Sequence, residues 1–209
     1  MGVLHGFRHG AILASLCLVT FCTTSDARSD ADFMEDIRLG SELIVKSPSD
    51  FRGYASRGCG YEHLKKYDLA EKDLLKAIDL KPEVSGLYCH LAAVYYEQGR
   101  YQEAASASAK VMELGDKSVE AYNSRLATLC MAQRYDECFD LCRDVIKQFP
   151  NNGTAYYFRA ICRNVLSSGA RREVLSDLAM AKRLKPGDQA IKKDYELFKS
   201  GKKLKTKLR

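Results

Sequence analysis

Apolar residues recur along this chain at helical spacing, and the pattern itself repeats. Across 51–82 (FRGYASRGCGYEHLKKYDLAEKDLLKAIDLKP), Tyr54, Gly58, Tyr61, Tyr67, Ala70, Leu74, Ala77 and Pro82 mark two short amphipathic helices joined by a turn. Moving on 34 residues gives Tyr88, Ala92, Tyr95, Tyr101, Ala104, Ser108, Val111 and Asp116, and a further 34 gives Tyr122, Leu126, Leu129, Tyr135, Cys138, Cys142, Val145 and Pro150. A fourth copy, with Tyr156, Ala160, Leu178, Ala181 and Pro186, fits once two residues are inserted around Ser167-Ser168-Gly169-Ala170; the Pro150 to Pro186 spacing of 36 agrees. Two further helices flank the copies. One runs from Asp32 to Lys46, with Phe33, Ile37, Leu43 and Ile44 on one stripe. The other follows Asp188, with Ala190, Ile191, Tyr195, Leu197 and Phe198.

The period of 34 and the residues at these places resemble the tetratricopeptide repeat (TPR) family, whose pattern is W-x2-L-G-x2-Y…A-x3-F…P. Tyr54 stands for the Trp, Gly58 for the Gly, Tyr61 for the Tyr, Ala70 for the Ala, Leu74 for the Phe and Pro82 for the Pro. The second and third copies lack the Gly, and the second lacks the Pro. The resemblance implies an all-α, right-handed superhelical solenoid of helix-turn-helix repeats. The domain reading is a signal peptide at 1–27, an N-terminal capping half-repeat at 28–50, and repeats at 51–84, 85–118, 119–152 and 153–187. A C-terminal capping helix at 188–200 and a basic tail at 201–209 complete it. Both ends need covering, because repeats bury their apolar faces only against neighbours.

The resemblance also implies a concave binding surface, lined by the second, fifth, ninth and twelfth places of each first helix. In the first two repeats these are Arg52, Ala55, Cys59 and Glu62, then Gly86, Cys89, Ala93 and Tyr96. In the last two they are Glu120, Asn123, Ala127 and Cys130, then Thr154, Tyr157, Ile161 and Asn164. The candidate groove residues are Ala55, Cys59, Cys89, Ala93, Tyr96, Asn123, Ala127, Cys130, Tyr157, Ile161 and Asn164. Relatives that clamp a chaperone's C-terminal carboxylate carry Lys at the fifth place and Asn at the ninth. Ala55 and Cys59 stand there, which removes that ligand class. A groove for a partner peptide or helix remains; the alternative is that these small residues only permit tight curvature.

Charge changes the picture at one end. The chain has 209 residues and a net charge of +6. Residues 192–209 hold eight Lys/Arg against two acids, so the basic balance belongs to the tail rather than to a nucleic-acid-binding face. That tail could meet an anionic membrane surface by summed charge, or remain solvated. At the other end, Arg8 precedes the apolar run Ala11 to Phe21, and Ser25-Asp26-Ala27 offers a cleavage site after Ala27. The expected protein is exported and monomeric: periplasmic, extracellular, or in the endoplasmic reticulum lumen of a eukaryote. An uncleaved anchor is the other reading of 1–27. The alternative function is a membrane-peripheral structural protein held by its tail or that anchor. Asn152-Gly153-Thr154 is a glycosylation sequon.

Of eight cysteines, Cys17 and Cys22 fall in the signal segment, and Cys59, Cys89, Cys130, Cys138, Cys142 and Cys162 remain. Cys138 and Cys142 occupy core places and read as small hydrophobes. Cys59 and His63 share a face at i, i+4, and Cys89 and His90 should face them from the next repeat. Packing, a Cys59–Cys89 disulfide or a metal site are the three readings; without a CxxC motif, no metal and no cofactor are expected. As a thiol and its base, Cys59 and His63 lack a third, orienting group on that face. The expected function is therefore non-catalytic: a scaffold binding a protein or peptide partner.

Overall fold

The computed structural model describes residues 28–167, 169–202 and 204. The signal segment 1–27 and most of the tail after Lys202 lie outside the described residues, and with them the expectations placed there. The described residues form ten α-helices and no strand. None of these helices is long and apolar enough to cross a membrane. The chain divides into two compact units, with the boundary between Ser124 and Arg125.

The first unit contains α1 (Asp30–Lys46), α2 (Phe51–His63), α3 (Tyr67–Leu80), α4 (Ser85–Glu97), α5 (Tyr101–Glu113) and the start of α6 (Val119–Met131). The sequence starts these helices locally. Ser29 and Asp32 form a reciprocal capping box at α1, and Asp50 accepts from the Arg52 amide at α2, each satisfying amides that a helix start leaves bare. The core holds Ala70, Leu74 and Ala77 of α3 against Leu87, Leu91 and Val94 of α4. Helices α1 and α2 approach to backbone contact. A Cβ on Gly40 would stand 2.7 Å from the Gly53 carbonyl oxygen, and one on Gly60 would stand 2.8 Å from the Phe33 oxygen. Gly58, the glycine of the repeat pattern, is less crowded, with the Leu74 side chain 3.1 Å from a Cβ there.

The second unit holds the rest of α6, then α7 (Tyr135–Gln148), α8 (Gly153–Leu166), α9 (Arg171–Leu184) and α10 (Gln189–Lys199). Its core runs through Leu126, Leu129, Cys138, Val145, Leu178 and Ile191. Asn152 caps α8, and Asp188 caps α10 through the Ala190 and Ile191 amides. The side of α10 is tied down by polar contacts. Tyr157 donates to Asp194 at 2.7 Å, Arg171 donates to the Phe198 carbonyl at 2.5 Å, and Lys182 pairs with Glu196 at 2.7 Å.

The turns inside the helix pairs repeat more strictly than their residues do. Lys65, Gly99 and Gln133, 34 apart, all adopt positive φ (58°, 76° and 60°). In each, the next residue's amide bonds to a carbonyl near the end of the preceding helix, from Lys66 to Tyr61, Arg100 to Tyr95 and Arg134 to Leu129. Left-handed backbone costs a side-chain-bearing residue about 1–2 kcal/mol, part of which glycine's greater freedom in the unfolded chain offsets. Gln133→Gly is therefore expected to stabilise the fold by about 0.5–1 kcal/mol, read as a raised urea midpoint; a lowered midpoint would contradict this turn geometry. At the corresponding place in the last pair, Ser167 is extended, with φ −138°.

Buried ion pairs obey the same arithmetic. Arg57 grips Asp73 through two bonds of 2.7 and 2.9 Å, 16 residues apart. Three periods on, Arg159 grips Asp177 at 3.0 and 2.6 Å, 18 residues apart. The two extra residues are the insertion around 167–170. Arg163 adds a third bond to Asp177 at 2.6 Å.

Candidate functional site

The eleven candidate groove residues are none of them fully exposed. In the first unit Ala55, Cys59 and Cys89 are half-buried, whereas Ala93, Tyr96 and Asn123 are buried. In the second unit Asn164 is half-buried and Ala127, Cys130, Tyr157 and Ile161 are buried. Local partners account for several of these. The Tyr96 ring meets the edge of Tyr101, with centroids 5.4 Å apart. Tyr157 is held by Asp194, and burial first, then the Asp194 charge, pushes its phenol far up. Cys130 joins a group of buried thiols: hydrogen bonds with Cys138 and Cys162, then burial, push it well above the ordinary thiol range. The accessible strip of the first unit is thus Ala55 and Cys59 of α2 beside Cys89 of α4, two helices in direct contact.

The same two helices bring together titratable groups that spacing alone did not pair. His90 of α4 places Nδ1 2.5 Å from the Glu62 carboxylate of α2, with the two side chains 17% and 10% exposed. Burial opposes a charge on His90, but the Cys59 sulfur and the Glu62 carboxylate more than offset it, and the imidazole is raised well above its ordinary 6.5. His63 behaves in the opposite way. Its ring stacks on Phe33 at 4.2 Å, and burial lowers it. The two rings meet edge to face at 6.5 Å.

The imidazole whose titration Cys59 influences is therefore His90 rather than His63, and Glu62 holds that ring. The i, i+4 rule finds neighbours on one helix; the period places His90 opposite Cys59 and His63, but not its bond to Glu62. The sequence signal for His90 was its offset of 31 from Cys59, three short of the period. No disulfide joins the six described cysteines. Among the described residues, no group of three His, Cys, Asp or Glu is arranged to hold a metal ion.

At pH 7 His90 should carry a proton on both nitrogens while His63 is neutral. Imidazole nitrogen shifts check this, and a neutral His90 would contradict the site. The linked stability follows from the sign. His90's folded value is raised, so its contribution is complete below its ordinary 6.5 and is lost as pH climbs through the folded value above it.

Residues 51–84 and 85–114 match the tetratricopeptide repeat family. Over 96 residues the chain is 34% identical to the small glutamine-rich tetratricopeptide repeat-containing protein 2 of Saccharomyces cerevisiae, covering 46% of this chain and 28% of that protein. The chain thus spans little more than a quarter of that relative's length. Among solved structures it is similar to YrrB, described as a TPR protein with an unusual peptide-binding site (16% identity, 79% of this chain and 84% of that one, TM-score 0.64). It is also similar to MamA (18% identity, 75% and 90%, TM-score 0.67). At such identities the likeness is one of fold, and the fold is the all-helical one of TPR proteins.

Proposed function

We propose that this protein is an exported, non-catalytic scaffold that holds a peptide or helix of a partner protein against the first helices of its repeats. The observation that carries the reading is the half-buried strip of small side chains, Ala55, Cys59 and Cys89, on the adjacent first helices α2 and α4. Small residues there leave room for an incoming backbone, and neighbouring partly buried groups supply anchors. The repeat matches over these same helices, and the peptide-binding site named for YrrB, support it. Buried Ala93, Tyr96, Ala127, Tyr157 and Ile161 have little area left to cover, so affinity rests on the strip and on polar groups at its margin. Export rests on the sequence of residues 1–27, and N-terminal sequencing that finds Arg28 first would establish cleavage after Ala27.

The test is cross-linked capture by the full chain in its own host, beside Ala55→Arg and Asn164→Arg variants of unchanged circular dichroism. Partners lost by Ala55→Arg support recognition on α2. Capture unchanged in both variants, and abolished by about 0.5 M salt, would instead assign binding to the basic tail, because exposed charge contacts are screened at that ionic strength.

A further inference from the structure

Helix α1 closes the N-terminal end of the repeats and packs chiefly against α2. At that contact the Phe33 ring of α1 serves two partners. The Arg28 guanidinium lies over it, 5.0 Å from the centroid, and the half-buried His63 ring of α2 stacks on it at 4.2 Å with an interplanar angle of 18°. The His90 ring of α4 meets His63 edge to face at 6.5 Å. A proton added to His63 would therefore set a cation against an aromatic ring that already holds one, and beside another at His90. The two carboxylates that act on His63 are engaged elsewhere: Asp36 pairs with Arg28 at 2.5 Å, and Glu62 with His90 at 2.5 Å. Lys65 and Glu97 lie beside Glu62, and none of the charges that act most on His63 comes from α3. Burial first lowers the imidazole; Glu62 opposes that, and His90 and Arg28 reinforce it.

We propose that the Phe33–His63 stack is a pH-sensitive latch, which fastens α1 to the first repeat while His63 is neutral and releases it when His63 gains a proton. This goes beyond partner binding and does not depend on it. Release bares the face of α2 around Gly53 and Gly60, against which the α1 backbone lies. A terminal helix of a repeat array has a neighbour on one side only, so it is the element that opens most easily. The sign follows from linkage. His63 is lowered while α1 is docked and returns to its ordinary 6.5 when α1 leaves. Its contribution to docking is complete above 6.5 and is lost as pH falls below that, until the docked value is passed. His90 is raised and keeps its proton throughout that fall. Glu97 is raised by burial, and a proton gained there favours the folded form as pH falls, so it acts in the opposite direction.

The experiment follows amide hydrogen exchange of the full chain by mass spectrometry from about pH 7.5 to about pH 5.5, with each rate taken relative to the unstructured rate at the same pH. Protection of residues 30–46 should fall about threefold to tenfold over that range, the size of effect that one lowered imidazole supplies, while protection of residues 153–166 stays constant. His63→Gln, which gains no proton, should remove the fall. Arg28→Gln, which takes the cation from Phe33 and frees Asp36, should reduce it. Protection of 30–46 that does not change with pH, or a fall that survives in His63→Gln, would overturn the proposal. Should His63→Gln lose the wild-type circular dichroism, exchange and imidazole NMR titration of the wild-type chain decide together. A fall in protection with a His63 midpoint below 6.5 supports the latch, and a midpoint at or above 6.5 overturns it.

Discussion

Asp177→Ala is expected to destabilise residues 125–204 by about 3–5 kcal/mol, a large part of a typical folding free energy of about 5–15 kcal/mol. The Asp177 side chain is 5% exposed and accepts three bonds, two from Arg159 and one from Arg163, whose side chains are 20% and 22% exposed. Asp177 is the first cause of Arg159 being held above the ordinary guanidinium range. Truncating the carboxylate strands two guanidiniums in a mostly dry setting. Removing one partner of a buried pair costs far more than the pair contributes, because the remaining charge has lost both water and counter-charge. Partial access of the two arginines to solvent puts the expected value at the lower end of the range. Urea denaturation of Asp177→Ala reads the effect. Asp140→Ala is the matched control: its side chain is 74% exposed and 3.6 Å from Arg143, and it should shift stability by less than about 0.5 kcal/mol. A loss below about 1 kcal/mol for Asp177→Ala would contradict the buried-pair account.

Gly40→Ala is expected to destabilise the first unit by about 1–3 kcal/mol, against the direction of helix propensity. In an isolated helix alanine would be favoured over glycine by about 1 kcal/mol. Here the added Cβ would lie 2.7 Å from the Gly53 oxygen and 2.9 Å from the Arg57 amide nitrogen. Both are backbone atoms of α2, so no side chain can rotate away and the helices themselves must separate. Separation also disturbs Arg57, which holds Asp73, and Ser56, which donates to the Asp36 carbonyl at 3.2 Å. Gly86→Ala supplies the contrast. It lies in the first turn of α4 with nothing within 4 Å of an added methyl, so propensity alone should act and stability should rise by about 0.5–1 kcal/mol. Thermal unfolding of the two variants should therefore move in opposite directions; a stabilised Gly40→Ala would refute the backbone contact between α1 and α2.

The helix pairs were legible because each buries one stripe at period 3.6, and the same places, Ala70, Leu74 and Ala77, then Ala104, Ser108 and Val111, are buried in successive copies. What escaped the sequence was whatever depends on two helices at once. Gly40 and Gly60 occupy no place in the repeat pattern, and their role emerges only when α1 lies against α2. Lys65 and Gln133 give no turn signal of their own, and only Gly99 does; the left-handed backbone at all three is imposed by the repeat. Asp73 and Asp177 lie outside the repeat pattern, and their arginines stand 16 and 18 residues away. The candidate groove shows the same limit. Position in the repeat names Tyr157 and Cys130, but it does not foresee that Asp194 takes up the Tyr157 hydroxyl or that Cys130 joins Cys138 and Cys162. His90 could be placed opposite Cys59 by the period, yet its bond to Glu62 depends on the packing of α2 against α4.

Recognition along the first helices is the central functional claim, and site-specific photo-cross-linking tests it most directly. A benzophenone amino acid replaces Ala55 on α2 in one full-length protein and Lys76 on α3 in another, and each is irradiated in the native host. The account predicts a discrete partner adduct from position 55 and none from position 76. An adduct from position 76 alone would place binding on the second helices of the repeats and contradict it.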